Sequence, residues 1–325
     1  MHEHIARVLY YCQVHLLYAS IVWLAAWALT SILPGSATTK YWIWVATSLN
    51  FILPLGAVLD KLWAPYLSWA TPLSAIGAVG VVISENVPAA MALAAVWLLG
   101  AVLMFTRLCL RIRADHRDAQ PTPVQSALES RRTFLTHGVP VRFAGTRQAP
   151  AVDGVLRPHI SLPDGIERLL NEDELNAVLI HELTHARRRD NLIRLIHEVG
   201  LCVLWFHPLV WITGSRLALY RELSCDESVI QSAHGGDLVS ALAKLANPED
   251  AFLLQASASS LISHRLARLA APRPPRTRLA ANTVLTAVFG VALLAGVVGT
   301  VAHTACCFVV RCPSQFAGNR KATLR

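Results

Sequence analysis

The sequence predicts a mainly α, polytopic membrane protein with a small α+β domain on the cytoplasmic side. Three observations carry that expectation: long uncharged apolar runs lie toward both ends, nearly all the charge sits between them, and that middle contains H-E-x-x-H at residues 181–185. The chain is 54% apolar and 15% charged, against about 25% charged in ordinary soluble domains.

Residues 9–33, 41–59, 87–106 and 280–302 contain no Asp, Glu, Lys or Arg. Each approaches or exceeds the roughly 20 residues with which an α-helix crosses a bilayer, so four spans are expected. Residues 64–84 are also uncharged, but Pro65 and Pro72 interrupt them, and a re-entrant or interfacial segment is expected there. The first run is too long and its basic flank too thin for a cleaved signal peptide.

Residues 111–277 hold 20 Lys and Arg and 18 Asp and Glu, while the rest of the chain holds nine and three. Three regions follow: a transmembrane bundle at 1–110, a cytoplasmic domain at 111–277, and a final span with a short tail at 278–325. Arg107, Arg111, Arg113 and Arg117 precede or open the middle region, and Arg273, Arg276 and Arg278 close it, as the positive-inside rule asks of a cytoplasmic segment. A multi-pass protein of a bacterial-type inner membrane is expected, with the N-terminus outside. The tail would then also lie outside, against the pull of Arg311, Arg320, Lys321 and Arg325.

The net charge of +8 does not argue for nucleic acid, because the middle domain is nearly balanced and no helix-turn-helix or paired-cysteine pattern appears. Direct nucleic-acid binding is not expected. Arg187 to Arg189 instead complement the negative end of a helix dipole or meet anionic lipid. The seven cysteines form no C-x-x-C pair, so no disulfide framework is implied.

Within the middle domain, Pro121 to Gln125 reads as a linker and Ser126 to Thr136 as a helix. Val141 to Ala144, and the run from Val152 through Ile160 to Leu162, cluster β-forming residues between turn residues. A small hairpin is expected, and its edge would offer backbone partners to an extended peptide. Asn171 with Glu174 three residues on forms a capping box, and Leu175, Val178, Leu179 and Ala186 recur at helical spacing. His181 and His185 therefore share one helix face, with Glu182 beside them.

Two imidazoles so spaced suit zinc, and the intervening glutamate suits a general base. A catalytic zinc site needs a third protein ligand and one open position. Glu222 is the candidate ligand, and Asp226, one turn further, is placed to accept the outer N–H of a ligand histidine. Cys225 is read as a packed thiol. His197-Glu198 lacks a second histidine at the needed spacing and reads as structural. His207 precedes Pro208 and marks a helix break; it is also a candidate oxyanion contact. Leu192 to Phe206 and Pro208 to Gly214 suggest an apolar helix pair, either against the bilayer or in the domain core. Residues 271–277, rich in proline, link to the last span.

In that chemistry Zn²⁺ polarises the substrate carbonyl and acidifies a water, while Glu182 moves the proton. The rival reading is a proteolytically silent membrane transducer or scaffold with a structural zinc. A transporter is disfavoured, because the expected spans hold no charged residue.

The order of spans, with H-E-L-T-H-A-R-R-R-D-N at 181–191, W-F-H-P-L-V-W at 205–211 and E-L-S-C-D-E-S-V at 222–229, resembles the BlaR/MecR group of antirepressor membrane metallopeptidases. The E-x-x-x-D element is similar to that of gluzincin-type membrane proteases. The resemblance implies a zincin domain, His181, His185 and Glu222 as zinc ligands, Glu182 as general base and Asp226 as supporting acid. It also implies regulated cleavage of a protein substrate, such as a transcriptional repressor or the chain itself. Residues 303–325 contain no S-x-x-K, the nucleophile motif of a penicillin-binding sensor, so a separate sensor protein is expected. Lipid is the other expected partner, and a homodimer is the assembly considered.

Overall fold

The computed structural model describes residues 2–32, 35–53, 87–118, 138–144, 149–245, 265 and 281–293. The described part is mainly helical, with one small sheet. In chain order its elements are α1 (His2–Ile32), α2 (Ala37–Ile52), α3 (Val87–Asp118), β1 (Val141–Phe143), β2 (Ala151–Asp153), β3 (His159–Leu162), α4 (Ile166–Leu169), α5 (Glu172–Arg188), α6 (Asp190–Val203), α7 (Pro208–Gln231) and α8 (Gly235–Leu245). An apolar helix, α9 (Ala281–Leu293), follows.

The chain forms two compact units. One comprises Met1–Leu33, Ala46–Gly100 and Thr283–Arg325; the other comprises Pro34–Val45 and Ala101–Asn282. The domain boundary expected at residue 110 falls inside the continuous helix α3. The turn between the first two apolar runs belongs with the second unit, which the charge pattern gave no reason to expect.

In the first unit, α1 accommodates its hydroxyls by turning them back on its own backbone: Ser20 Oγ donates to Leu16 O and Thr30 Oγ1 to Ala26 O, both at 2.7 Å. This satisfies polar groups in an otherwise apolar helix. Of the four expected spans, two described helices are long and apolar enough to cross a membrane, His15–Ile32 and Pro88–Ala114. In α2, 16 residues are described, and α9 is shorter than a span; the remainders of 41–59 and 280–302 lie outside the described residues. Also outside them are 64–84, the linker and helix expected at 121–136, residues 271–277 and the tail from His303.

In the second unit a hairpin does precede α5, but it forms within the run 152–162: β2 and β3 are antiparallel, with Val152 opposite Ile160. β1 pairs with β3 in parallel, giving the order β1-β3-β2. Val141, Phe143, Ile160 and Leu162 are buried against Leu175, Val178 and Leu179 of α5 and Leu238 of α8. Full burial of each such side chain contributes on the order of 2 kcal/mol. The core thus clamps the front half of α5, leaving its last turns to meet α7. Glu174, itself buried, is held by Ser240 Oγ at 2.5 Å and Lys244 Nζ at 2.7 Å, which fastens α8 to the start of α5.

α6 and α7 form a helical hairpin. Pro208 opens α7, and His207 before it is extended, with φ −94° and ψ 112°, as a residue preceding proline prefers. A β-carbon on Gly214 would lie 2.7 Å from His197 Nε2, so the glycine permits the close approach of α7 to α6. His197 is buried and Glu198 pairs with Arg194 at 2.9 Å, in line with a structural role. Ile196, Val199, Val203, Phe206, Trp211 and Ile212 are exposed, and residues 199–215 include no Asp, Glu, Lys or Arg. The outer half of the hairpin therefore turns apolar side chains away from the core.

Candidate metal centre

α5 starts with a complete capping box, in which Asn171 Oδ1 accepts from the Glu174 N–H at 2.8 Å and Glu174 Oε2 from the Asn171 N–H at 2.9 Å. Acidic residues occupy the first turn and basic ones the last, matching the helix dipole. Leu175, Val178, Leu179 and Ala186 are buried as expected. This stripe fixes the helix rotation, so His181 and His185, one turn apart, face α7. Glu222 and Asp226, also one turn apart, face them from α7.

The donor atoms converge. His181 Nε2 and His185 Nε2 are 3.2 Å apart, Glu222 Oε2 is 3.5 Å from the first, and Glu222 Oε1 is 3.8 Å from the second. Zinc held at about 2.0–2.1 Å by each of three tetrahedral ligands would separate them by about 3.3 Å. The two Glu222 distances end on different oxygens, so His181, His185 and one carboxylate oxygen would close on such an ion after small adjustments, and the donor types are those zinc takes. Glu182, buried beside His181, completes the set.

Each histidine is held from behind by an acid. Asp226 Oδ1 lies 3.1 Å from His181 Nδ1, poorly aligned as a hydrogen bond, and Arg265 grips both oxygens of Asp226 at 2.9 Å. Asp190 Oδ2 lies 2.7 Å from His185 Nδ1 and 2.6 Å from Arg188, and Tyr41 donates its hydroxyl to Asp190 Oδ1 at 2.8 Å. Such outer carboxylates fix the tautomer and direction of metal-binding imidazoles.

The electrostatics follow this arrangement. Burial opposes protonation of His185, but Asp190, Cys225 and Glu222 together outweigh it and hold its pKa well above the ordinary histidine value. His181 moves the same way: burial lowers it, and Asp226 and Glu222 more than compensate. Burial would neutralise Glu222, yet the two adjacent histidines, with Arg221, keep it well below the carboxylate range.

The sequence reading gave Asp190, Tyr41 and Arg265 no role at the site. Arg188 was expected only to complement a dipole or meet lipid; it turns inward, donating also to Ser224 Oγ at 2.5 Å and Cys225 Sγ at 3.0 Å. Cys225, read from sequence as packing, stands at the site: its sulfur and one ring nitrogen of each of His181 and His185 lie within 4.8 Å of one another. Burial raises the Cys225 thiol, favouring the protonated form over a ligand thiolate. The structure does not gather His207 into this cluster. It sits at the outer tip of the hairpin, 15 residues before Glu222, about 22 Å along the helix.

Residues 13–269 match the sequence model of the family described as BlaR1 peptidase M56. The regulatory protein BlaR1 of Bacillus licheniformis is 39% identical over 85 residues, which are 26% of this chain and 14% of that relative. The methicillin resistance mecR1 proteins of Staphylococcus aureus and Staphylococcus epidermidis are each 23% identical over 103 residues, 32% of this chain and 18% of theirs. The aligned stretches thus span less than a fifth of these relatives.

Proposed function

The chain belongs to the BlaR1 peptidase M56 family, and from that premise we propose that it is a membrane zinc endopeptidase cleaving a protein substrate in signal transduction. This reading is supported by the convergence of His181, His185 and Glu222: the two Nε2 atoms are 3.2 Å apart, and the two oxygens of Glu222 lie 3.5 Å from one and 3.8 Å from the other, next in sequence to the buried Glu182. Bound there, Zn²⁺ supplies Lewis-acid polarisation of the scissile carbonyl and makes water acidic enough to lose a proton near neutral pH. Glu182 accepts that proton and delivers it to the leaving amine. Asp190 and Asp226 keep the ligand imidazoles oriented throughout.

The cytoplasmic membrane surface is the proposed location. Pro34–Val45, the turn between the first two apolar runs, is in one unit with the metal-site residues, which supports one side of the membrane for both. The outward apolar face of the α6–α7 hairpin supports contact with lipid. The relatives named above are by name a regulatory and a resistance protein, which supports a role in signalling; the substrate proposed is a transcriptional repressor or the chain itself. The nearness of Cys225 to both histidines favours one rival, a closed four-ligand structural zinc in a silent transducer.

Proteolysis is tested by comparing cells carrying the wild type and Glu182→Gln for protein fragments. The account expects fragments made by the wild type alone, or at a rate about 10²–10⁴-fold above the variant, with zinc retained in both. Equal fragment formation by Glu182→Gln would refute it.

A further inference from the structure

The metal site has a connection running to the second apolar run of the chain. Tyr41 is four residues past the start of α2, and from there to Ile52 that helix carries no charged side chain. Its ring is buried beneath the Arg188 guanidinium, 4.6 Å from the ring centroid, and its hydroxyl donates to Asp190 Oδ1 at 2.8 Å. The other oxygen of Asp190 serves His185 Nδ1 and Arg188. All three partners together fix the plane of the carboxylate. Removing the phenol leaves one oxygen of a buried anion without its hydrogen bond, and the carboxylate can then swing away from the imidazole.

Thr38, one turn earlier, strengthens the attachment without touching the histidines. Its N–H and hydroxyl lie 3.2 and 3.3 Å from Glu227 Oε2, and its hydroxyl lies 2.9 Å from Ser224 Oγ. The start of α2 is therefore docked at two points, of which Tyr41 alone leads to a candidate ligand. A helix sliding by one residue moves 1.5 Å along its axis, enough to break a 2.8 Å hydrogen bond.

We propose that Tyr41 is a positioning residue for His185, acting through Asp190, so that the placement of α2 sets how tightly the site holds its metal. This rests on the reading of His181, His185 and Glu222 as a zinc site. A stimulus that shifts or rotates α2 then reaches the catalytic machinery through one hydroxyl, with no rearrangement of the metal-bearing helices.

The test uses the full chain in detergent micelles, measuring zinc affinity by competition with a chromophoric chelator and the visible spectrum of the cobalt-substituted protein. Tyr41→Phe, which keeps the ring under Arg188, is expected to weaken zinc about 3- to 10-fold, below the 10- to 100-fold typical of a direct ligand partner, and to shift the cobalt bands. Thr38→Val should leave both unchanged. In an Asp190→Asn background Tyr41→Phe should add nothing. Wild-type affinity and spectrum in Tyr41→Phe, or an equal loss in the Asp190→Asn background, overturns the proposal. Should Tyr41→Phe not fold, 3-fluorotyrosine at position 41 keeps the shape and alters the donor; an unchanged cobalt spectrum then overturns it. If instead the wild type binds no zinc, or binds it as well after His185→Ala, the zinc-site reading itself has failed.

Discussion

His181 and His185 stand one turn apart on the same helix and are supported in different ways. His185 has a carboxylate at 2.7 Å whose remaining bonds come from Arg188 and Tyr41. His181 faces Asp226 at 3.1 Å in poor alignment, because both oxygens of that acid are claimed by Arg265. One arm is therefore tight at the metal side, while the other is tight at the arginine side. The difference teaches that the same pairing of imidazole and acid can serve mainly to aim a ligand or mainly to neutralise a buried charge. It also separates their reach, since the His181 arm stays among α5, α7 and Arg265 whereas the His185 arm extends to α2.

Two substitutions break the comparison most sharply. Asp226→Asn removes the charge of the carboxylate that grips the mostly buried Arg265 guanidinium, leaving it Glu222 at 3.7 Å, and a loss of about 3 kcal/mol in unfolding free energy is expected, read by denaturant titration of the metal-free protein. Asp190→Asn should cost less stability, since Arg188 keeps Ser224, Cys225 and the Tyr41 ring. For zinc affinity the order reverses. Asp190→Asn is expected to weaken binding by about 100-fold and Asp226→Asn by about 10-fold, the two ends of the range for outer partners of ligands. Equal effects on both measurements would erase the distinction between the arms.

A smaller effect sharpens the comparison by leaving it untouched. Hydrogen bonds from Lys244, Ser240 and the Asn171 N–H lower the Glu174 carboxyl to about 2 from an ordinary 4.5. A depressed carboxylate stabilises the fold fully above 4.5 and loses that contribution as pH falls toward 2. Acid unfolding of the wild type should therefore be steeper between pH 4.5 and 2 than that of Glu174→Gln, followed by circular dichroism. Both histidines ride on the helix that Glu174 caps, so the variant should bind zinc at neutral pH as the wild type does. A change in affinity would mean that the whole helix, and not the two arms, governs the site.

The sequence revealed what local periodicity can encode. The capping box, the buried stripe of α5, the shared face of His181 and His185 and the one-turn step from Glu222 to Asp226 are all properties of single helices. That a hairpin precedes α5 was legible for the same reason, while the parallel pairing of β1 depends on a crossover that no local pattern records. Asp190 was missed by counting along a helix: five residues past His185, it should lie about 140° around the axis. Arg189, left-handed at φ 56°, ends α5 and turns the chain so that Asp190 returns to its histidine. Tyr41 and Arg265 come from 149 and 39 residues away from the acids they hold, and nothing near them in sequence signals it. Cys225 lay on the face that the helix count pointed to, but a buried thiol has two uses and spacing does not choose between them.

In the proposed site two imidazoles and the Glu222 carboxylate hold zinc and leave one position for water. X-ray absorption at the zinc edge of the purified, zinc-loaded chain tests it most directly. The account predicts nitrogen and oxygen neighbours alone at about 2.0–2.2 Å, with one of them changed in Glu222→Gln. A sulfur neighbour at about 2.3 Å, or a shell that Glu222→Gln leaves as it was, would contradict it and return Cys225 to the metal.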